Sequence, residues 1–583
     1  MNIKPIQGIQ IKIHLGLKIG NFYSLVKTGF LYFRRAVVSL RETMSLKVLF
    51  ASLPSSFKAE YLMRRVSILF LCVISLFSFV HAAESESELW KEFVADSAAG
   101  KKPLLPDFSY AGYGYGEIAI PFKKGPLFKV ADYGAIPNDG KNDAESIQKA
   151  IDDCAKSGGG VVSFPPGVFL IEGTPGSTAK SPLIIHSSNI VLQGSGSGEG
   201  GTILDFPSEL QPENPKNMWT GRAPLRIGER ADIEKPLTAC VLNPAPLGSK
   251  SLKISPDSGL KKDDRIVLRM NRKGNVGPSF IAPHEWIEKW TNGINIMELH
   301  KIQSIENDEI VLSEPLMIDV DSQGDWTVST TSFISQVGVE NLRFRGAWKE
   351  EFHHHRDWHH DSGWRGLVMF HCEESWIRNC VFENMNWPIQ ISFSRQITAE
   401  DLDFVGTPGH FGMQVVGTYG VLGLRVRDLA GQLHGPSLQA GSCCTVYHEC
   451  TWSSQTSFDS HANNPYATLH DQNQGGLFLT GVGGSEVYFP HHLHDFILWN
   501  LKVTGAPPQN VSFWDATKTA YGRSFAQVIL AGIYGLPVQF ESSSVYRSES
   551  IGTPVTPWSL WLAQLKRRLG EVPAHFQSSI KAP

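Results

Sequence analysis

Apolar and polar positions alternate along most of this chain in short runs closed by Gly, Pro, Asn or Asp, a period of two that predicts strands. One stretch departs from it. Over 144–157, Ile147, Ala150, Ile151 and Cys154 fall on one face at a 3.6-residue period, and Gly158-Gly159-Gly160 stops the run. This predicts a helix between two strands, 128–135 and 161–169. Further on the strands repeat. Apolar residues Phe344, Phe382, Phe404, Val426 and Trp452 close successive runs at spacings of 38, 22, 22 and 26. A second series lies at 388–392, 412–416, 436–440 and 457–461. One such coil cannot bury its apolar face alone, so stacked coils must supply the core, which predicts a solenoid.

Residues 236–320 break the repeat. Alternating segments at 247–254, 260–268, 300–302 and 310–312 read as a small antiparallel β-module inserted into the solenoid. Near the end, 558–570 reads as a short amphipathic helix ending at Gly570 and packed on the body. Met63-Arg64-Arg65, the apolar run 66–80 and His81-Ala82-Ala83 form a signal-peptide pattern, with cleavage after Ala82 or Ala83. The run is too short for a comfortable membrane span. Residues 1–62 are read as a mis-called upstream extension. The partition is then 63–83 signal peptide, 84–127 lead-in, 128–235 first coils with the helix, 236–320 module, 321–540 main solenoid and 541–583 tail. The product is expected to be secreted or periplasmic, with no membrane span after cleavage.

Composition narrows the function. With 583 residues, 42% hydrophobic and 19% charged, the chain is not a disordered polyelectrolyte. A net charge of −4 gives no basic surplus for nucleic acid. Beyond the signal run seven cysteines remain, an odd number without a CxxC pair, which argues against a disulfide framework and a structural zinc site.

Histidine carries the chemistry. His353, His354, His355, His359 and His360 cluster, and His410, His434, His461, His491 and His492 follow. His410 and His434 are 24 apart, Gln390 and Gln414 also 24, and Gln414 and Gln439 25. One coil is one rung of a parallel ladder, so these pairs are expected roughly 5 Å apart on one face. A step of 25 from His434 reaches Asp459, and a step of 22 from Gln439 reaches His461. Asp459 and His461 share a strand face either way. A carboxylate beside an imidazole orients it and raises its basicity. His410, His434, Asp459 and His461 are therefore the catalytic candidates, in an open outer groove. Gln390, Arg395, Gln414, Gln439, His359, His360, Trp364, His491 and His492 are the candidates for substrate contact.

The 128–169 block, with its Phe164-Pro165-Pro166-Gly167 turn, resembles the opening of the pectate-lyase-type, rhamnogalacturonase/epimerase-like single-stranded parallel β-helix superfamily. There the helix caps the open end of the solenoid. His359-His360, Gly363-Trp364, the 375–379 run, Gly409-His410, Asp459-Ser460-His461, Pro465, Gly475-Gly476, Pro490-His491-His492 and Trp499-Asn500 resemble the DUF4955-type family. Relatives carry Gly-His-His where this chain has Gly409-His410-Phe411. The resemblance implies an all-β, right-handed parallel β-helix solenoid acting on a polysaccharide. Polygalacturonase-like hydrolysis uses an adjacent Asp pair, and 385–480 contains none. A lyase needs a base and a cation facing a uronate carboxylate, roles that suit His410, His434, His461 and Arg395. This tilts the reading towards β-elimination, with glycoside hydrolysis and a non-catalytic glycan-binding solenoid as alternatives. No cofactor or metal is expected. Ca²⁺ occurs in such lyases, but no Asp/Glu cluster here has ligand spacing. The oligomeric state is left open.

Overall fold

Strands stack in parallel because each coil returns the chain to the same side of the solenoid. The computed structural model describes residues 85–580 apart from 124, 174–180, 213, 230–236, 274–277, 324, 480–481 and 516–522. The expected signal peptide and residues 1–62 lie outside the described residues.

The longest sheet has sixteen strands and runs from Leu127–Lys129 to Arg547–Glu549. A second sheet of seven parallel strands forms another face. In chain order these are β1 (Leu183–Ile185), β2 (Leu225–Ile227), β3 (Arg365–Phe370), β4 (Trp387–Ser392), β5 (Phe411–Val416), β6 (His434–Gln439) and β7 (Ser457–Ser460). A third, three-stranded sheet begins at Gln474–Gly476. The fold is an all-β solenoid of parallel strands.

Period two decides what faces inward. Ile389, Ile391, Met413, Val415 and Leu438 are buried in the interior. In the long sheet Phe206, Phe344, Phe382 and Phe404 form a ladder with successive ring centroids 6.2, 4.8 and 5.8 Å apart. The expected register holds as far as Phe404. Phe404 then pairs with Asp428, and Val426 lies over Leu402, two residues from the expected partner. The helix expected over 144–157 is Ala144–Lys156, with Ile147, Ala150, Ile151 and Cys154 buried against the first coils. Cys372, Cys380 and Cys450 are buried thiols, and all seven described cysteines are free. Among the described residues no helix is long and apolar enough to cross a membrane.

The inserted module is a six-stranded antiparallel sheet running from Leu237–Cys240 to Thr327–Thr331, so it extends beyond the expected limit at 320. A buried ionic network joins it to the solenoid. Arg395 reaches Glu314 of the module at 2.9 Å and Glu373 of the long sheet at 3.1 Å. It also donates to the Tyr115 hydroxyl of the lead-in at 3.1 Å. His300 sits between Glu298 (2.7 Å) and Glu314 (3.1 Å). Burial works against its charge, but the two carboxylates outweigh that and lift its pKa to about 8. A folded pKa above the ordinary 6.5 gives stability that is full below about pH 6.5 and lost as pH rises through about 8. Thermal melts between pH 6 and 9 are expected to show this loss, and a His300→Gln variant should show a shallower one. Equal slopes would remove His300 from the account.

The tail helix is Leu560–Leu569, closed by Gly570 in the left-handed region. It packs on the body, as expected. Ser559 caps it, accepting from the Leu562 amide at 3.0 Å. Asp471 accepts from both the Ser559 hydroxyl and the Leu560 amide. Asp471 also holds His448 at 2.9 Å, so this carboxylate is a structural anchor and not part of a cleft.

Candidate active site

Outward positions of the seven-stranded sheet form a polar stripe. Gln390 pairs in register with Gln414, Gln414 with Ser437, and Ser437 with Asp459. Ser437 takes the rung expected for Gln439, which pairs instead with Val416. The 22-residue step is thus the one the strands follow at Asp459. An irregularity between His434 and Ser437 nevertheless brings His434 Nδ1 within 3.6 Å of Asp459 Oδ1.

The four catalytic candidates converge. His410 immediately precedes β5, His434 opens β6, Asp459 lies in β7 and His461 directly follows it. Ring centroids are 5.1 Å apart for His410 and His434, and 5.2 Å for His434 and His461. His461 Nδ1 meets Asp459 Oδ2 at 3.2 Å. Asp459 also accepts from Ser437 Oγ at 2.5 Å and from the Gly483 amide at 2.9 Å. Burial pushes its carboxyl up, but His434, His461 and Ser437 outweigh this and hold it below the usual range. Glycine is required at 483 by space alone, since a Cβ there would lie 2.0 Å from His461 Cε1.

The open groove expected from the sequence is roofed. His410, His434 and Asp459 are each only 1% exposed, while the His461 side chain keeps 18%. The cover is the loop between the long-sheet strand Leu342–Arg345 and β3. Trp348 of this loop donates to the Pro408 carbonyl at 2.8 Å. Phe352 stacks on His410 at 5.2 Å, and His354 stands 5.1 Å from His410 and 5.3 Å from His434. His410 Nδ1 donates to the Asp361 carbonyl at 2.7 Å, which leaves Nε2 as the lone-pair nitrogen. Burial and the neighbouring His434 push the His410 pKa well below its ordinary value. Burial raises the Asp361 carboxyl.

The other candidates divide. Gln390 accepts from Arg365, whose guanidinium lies 3.9 Å from the Trp387 ring centroid. Gln414 is buried and Gln439 half-buried on the outward stripe. His359 is held between Glu209 (2.5 Å) and Glu350 (3.2 Å), and His360 Nδ1 accepts from the His353 amide at 2.9 Å. Both fasten the roof, since Asn386 donates to their carbonyls. Trp364 is half-buried just before β3, and its carbonyl accepts from the Trp387 amide. His491 hydrogen-bonds Ser524 at 2.9 Å, and burial pushes it to about 3 against the pull of Asp459. The fully buried candidates fail as substrate contacts: His360, Gln414 and His491 are at most 2% exposed, and two more are committed elsewhere. Arg395 is 1% exposed inside the ionic network that holds the module, so it cannot face a substrate carboxylate. His492 is fully buried, bonded to Thr468 at 3.1 Å and stacked with Phe525 in the interior.

Several residues escaped the sequence reading. His354 was visible within the histidine cluster, but nothing in its spacing tied it to His410. Ser437 was in the second strand series, one face-step from the residue chosen. Gly483 left no signal. Among the described residues, three groupings have donor atoms close enough to hold a metal ion: His354, His410 and His434; His434, Asp459 and His461; and Glu350, His359 and His360.

The described residues also enclose cavities elsewhere on the solenoid. One of about 490 Å³ lies over β1–β3 and is lined by Arg222, Arg226 and Arg365 with Asn214 and Asn217. Another, about 500 Å³, lies where Arg269, Lys273 and Asn295 of the module meet Ala440 and Asn463 beyond β6 and β7.

Residues 127–206 match the family model described as rhamnogalacturonase A/epimerase, pectate lyase-like, and residues 431–578 match the domain of unknown function DUF4955. Over 72 residues the chain is 41% identical to alginate lyase 7 of Azotobacter vinelandii, covering 12% of this chain and 8% of the relative. It is 35% identical over 72 residues to the mannuronan C5-epimerase AlgE3 of the same organism, covering 12% and 4%. The chain thus spans under a tenth of the length of these curated relatives. Among solved structures it resembles the tailspike gp61 of Pseudomonas phage phi297 (TM-score 0.45, 12% identity, 73% of this chain and 68% of that one). It also resembles an exopolygalacturonase of Thermotoga maritima (TM-score 0.30, 11% identity, 73% and 78%).

Proposed function

We propose that this chain, a parallel β-helix protein with a pectate-lyase-like opening segment and a DUF4955 domain, is an exported enzyme that cleaves an acidic polysaccharide by β-elimination. The observation that carries the reading is the Asp459–His461 pair beside His410 and His434, brought together from three successive rungs. Asp459 fixes the His461 ring through Nδ1 and leaves Nε2 as the base. That base takes the C5 proton of a uronate. The C5–H electron pair forms the C4–C5 double bond as the C4–O4 bond breaks. The leaving oxygen regains a proton from the imidazolium or from water. The arginine-lined cavity over β1–β3 supports an anionic chain rather than a neutral one. The segment read as a signal peptide supports export, and cell fractionation tests it.

The purified protein should be incubated with uronate-rich and neutral glycans, following ultraviolet absorbance and product mass. Unsaturated, absorbing products from an acidic glycan are expected. Products that have gained water would replace elimination with hydrolysis. Binding without cleavage of any glycan would make the chain a non-catalytic solenoid.

A further inference from the structure

We infer that His354, His410 and His434 form a binding site for one divalent transition-metal ion of the zinc class. Donor atoms of the three side chains all lie within 4.8 Å of one another. Tetrahedral zinc with nitrogen ligands at about 2.1 Å places those nitrogens about 3.4 Å apart. The site therefore has to close by at most about 1.4 Å to hold the ion. The ligand placed to close it is His354, which stands on the exposed part of the roof loop.

The surroundings are those of metal-bound imidazoles. A ligating histidine gives its other ring N–H to a carbonyl or a carboxylate, which fixes the ring and its tautomer. His410 gives Nδ1–H to the Asp361 carbonyl at 2.7 Å, and its buried Nε2 has no hydrogen-bond partner. His434 presents Nδ1 to Asp459, which Ser437 and the Gly483 amide anchor in turn. An imidazole lone pair sealed from water without a donor is costly. A cation between the three rings removes that cost. The alternative grouping of Glu350, His359 and His360 is less suited, because Glu209, Glu350 and the His353 amide already engage its ring nitrogens.

Three imidazoles with a fourth position open are the donor set of a catalytic zinc site. Nitrogen donors favour zinc, cobalt, nickel or copper over calcium and magnesium. The sequence argued against a metal because it offered neither Cys pairs nor an acidic cluster, and these ligands come from three separate stretches. Beside His461, the ion would supply positive charge for a uronate carboxylate. That role rests on the elimination reading, whereas binding of the ion does not.

The test uses the full chain, stripped with a chelator and titrated with Co²⁺ alone and then Zn²⁺, with no glycan present. The expected result is one Co²⁺ per chain with the intense visible bands of a four-coordinate ion, displaced by Zn²⁺. His354→Ala should weaken Co²⁺ binding at least tenfold, about the lower bound for disturbing a metal site. His186→Ala, at an exposed histidine paired with Glu229, should bind as the wild type does. No uptake by the wild type, or equal affinity in wild type and His354→Ala, overturns the site. If His354→Ala melts early in the metal-free state, X-ray absorption of the wild-type Co²⁺ protein decides. Three nitrogen neighbours support the site, and an all-oxygen environment overturns it. Metal binding without glycan cleavage would sink the elimination reading alone.

Discussion

Replacing His461 by alanine is expected to lower the rate of glycan cleavage about 10²–10⁴-fold, the usual contribution of a positioned acid–base group. Among the ladder residues His461 combines residual access to solvent with a fixed ring. Its side chain is 18% exposed, whereas His410 and His434 are sealed under Phe352 and His354. Asp459→Asn should act through the same ring. The amide keeps the shape but removes the charge that Ser437, Gly483 and two histidines are arranged around. Its loss should fall mainly on kcat, because Asp459 is buried and does not reach the glycan. The comparison is kcat and KM for both variants on the glycan the wild type cleaves, with circular dichroism to confirm the fold. Turnover within about twofold of wild type for His461→Ala would move the base elsewhere.

The convergence of His410, His434, Asp459 and His461 could be read from the chain because coil length barely changes between β4 and β7. Counting rungs there is close to measuring distance. The same counting slipped where a strand is irregular. Between His434 and Ser437 the register shifts, so Gln439 was given the place that Ser437 occupies. The roof was not legible. Its loop has no period, and burial of Trp348 and Phe352 against the coil below depends on tertiary contact alone. His491 and His492 show a further limit. Both of these adjacent histidines are buried and stack on Phe525, one bonded to Ser524 and the other to Thr468, which the motif does not signal. The antiparallel module was legible from its alternation, but its last strand at Thr327–Thr331 was absorbed into the returning repeat.

Arg395→Ala tests the largest of these corrections. Chemical need assigned Arg395 to a substrate carboxylate, since elimination calls for a cation. In the protein it meets two carboxylates, Glu314 and Glu373, with the Tyr115 hydroxyl alongside. Glu373 also binds Arg265 of the module at 2.6 Å, and Glu314 is held by His300. Removing the guanidinium leaves Glu314 fully buried with part of its charge uncompensated. Breaking a buried pair in this way costs about 3–5 kcal/mol. The variant should therefore melt well below wild type, and limited proteolysis should cut first in the module, residues 237–331, whose attachment the network supplies. Activity of the protein that remains folded should keep the wild-type KM. A variant of unchanged stability with KM raised tenfold or more would return Arg395 to the glycan-binding face. It would also require the contact between module and solenoid to be redrawn, because the same side chain cannot serve both.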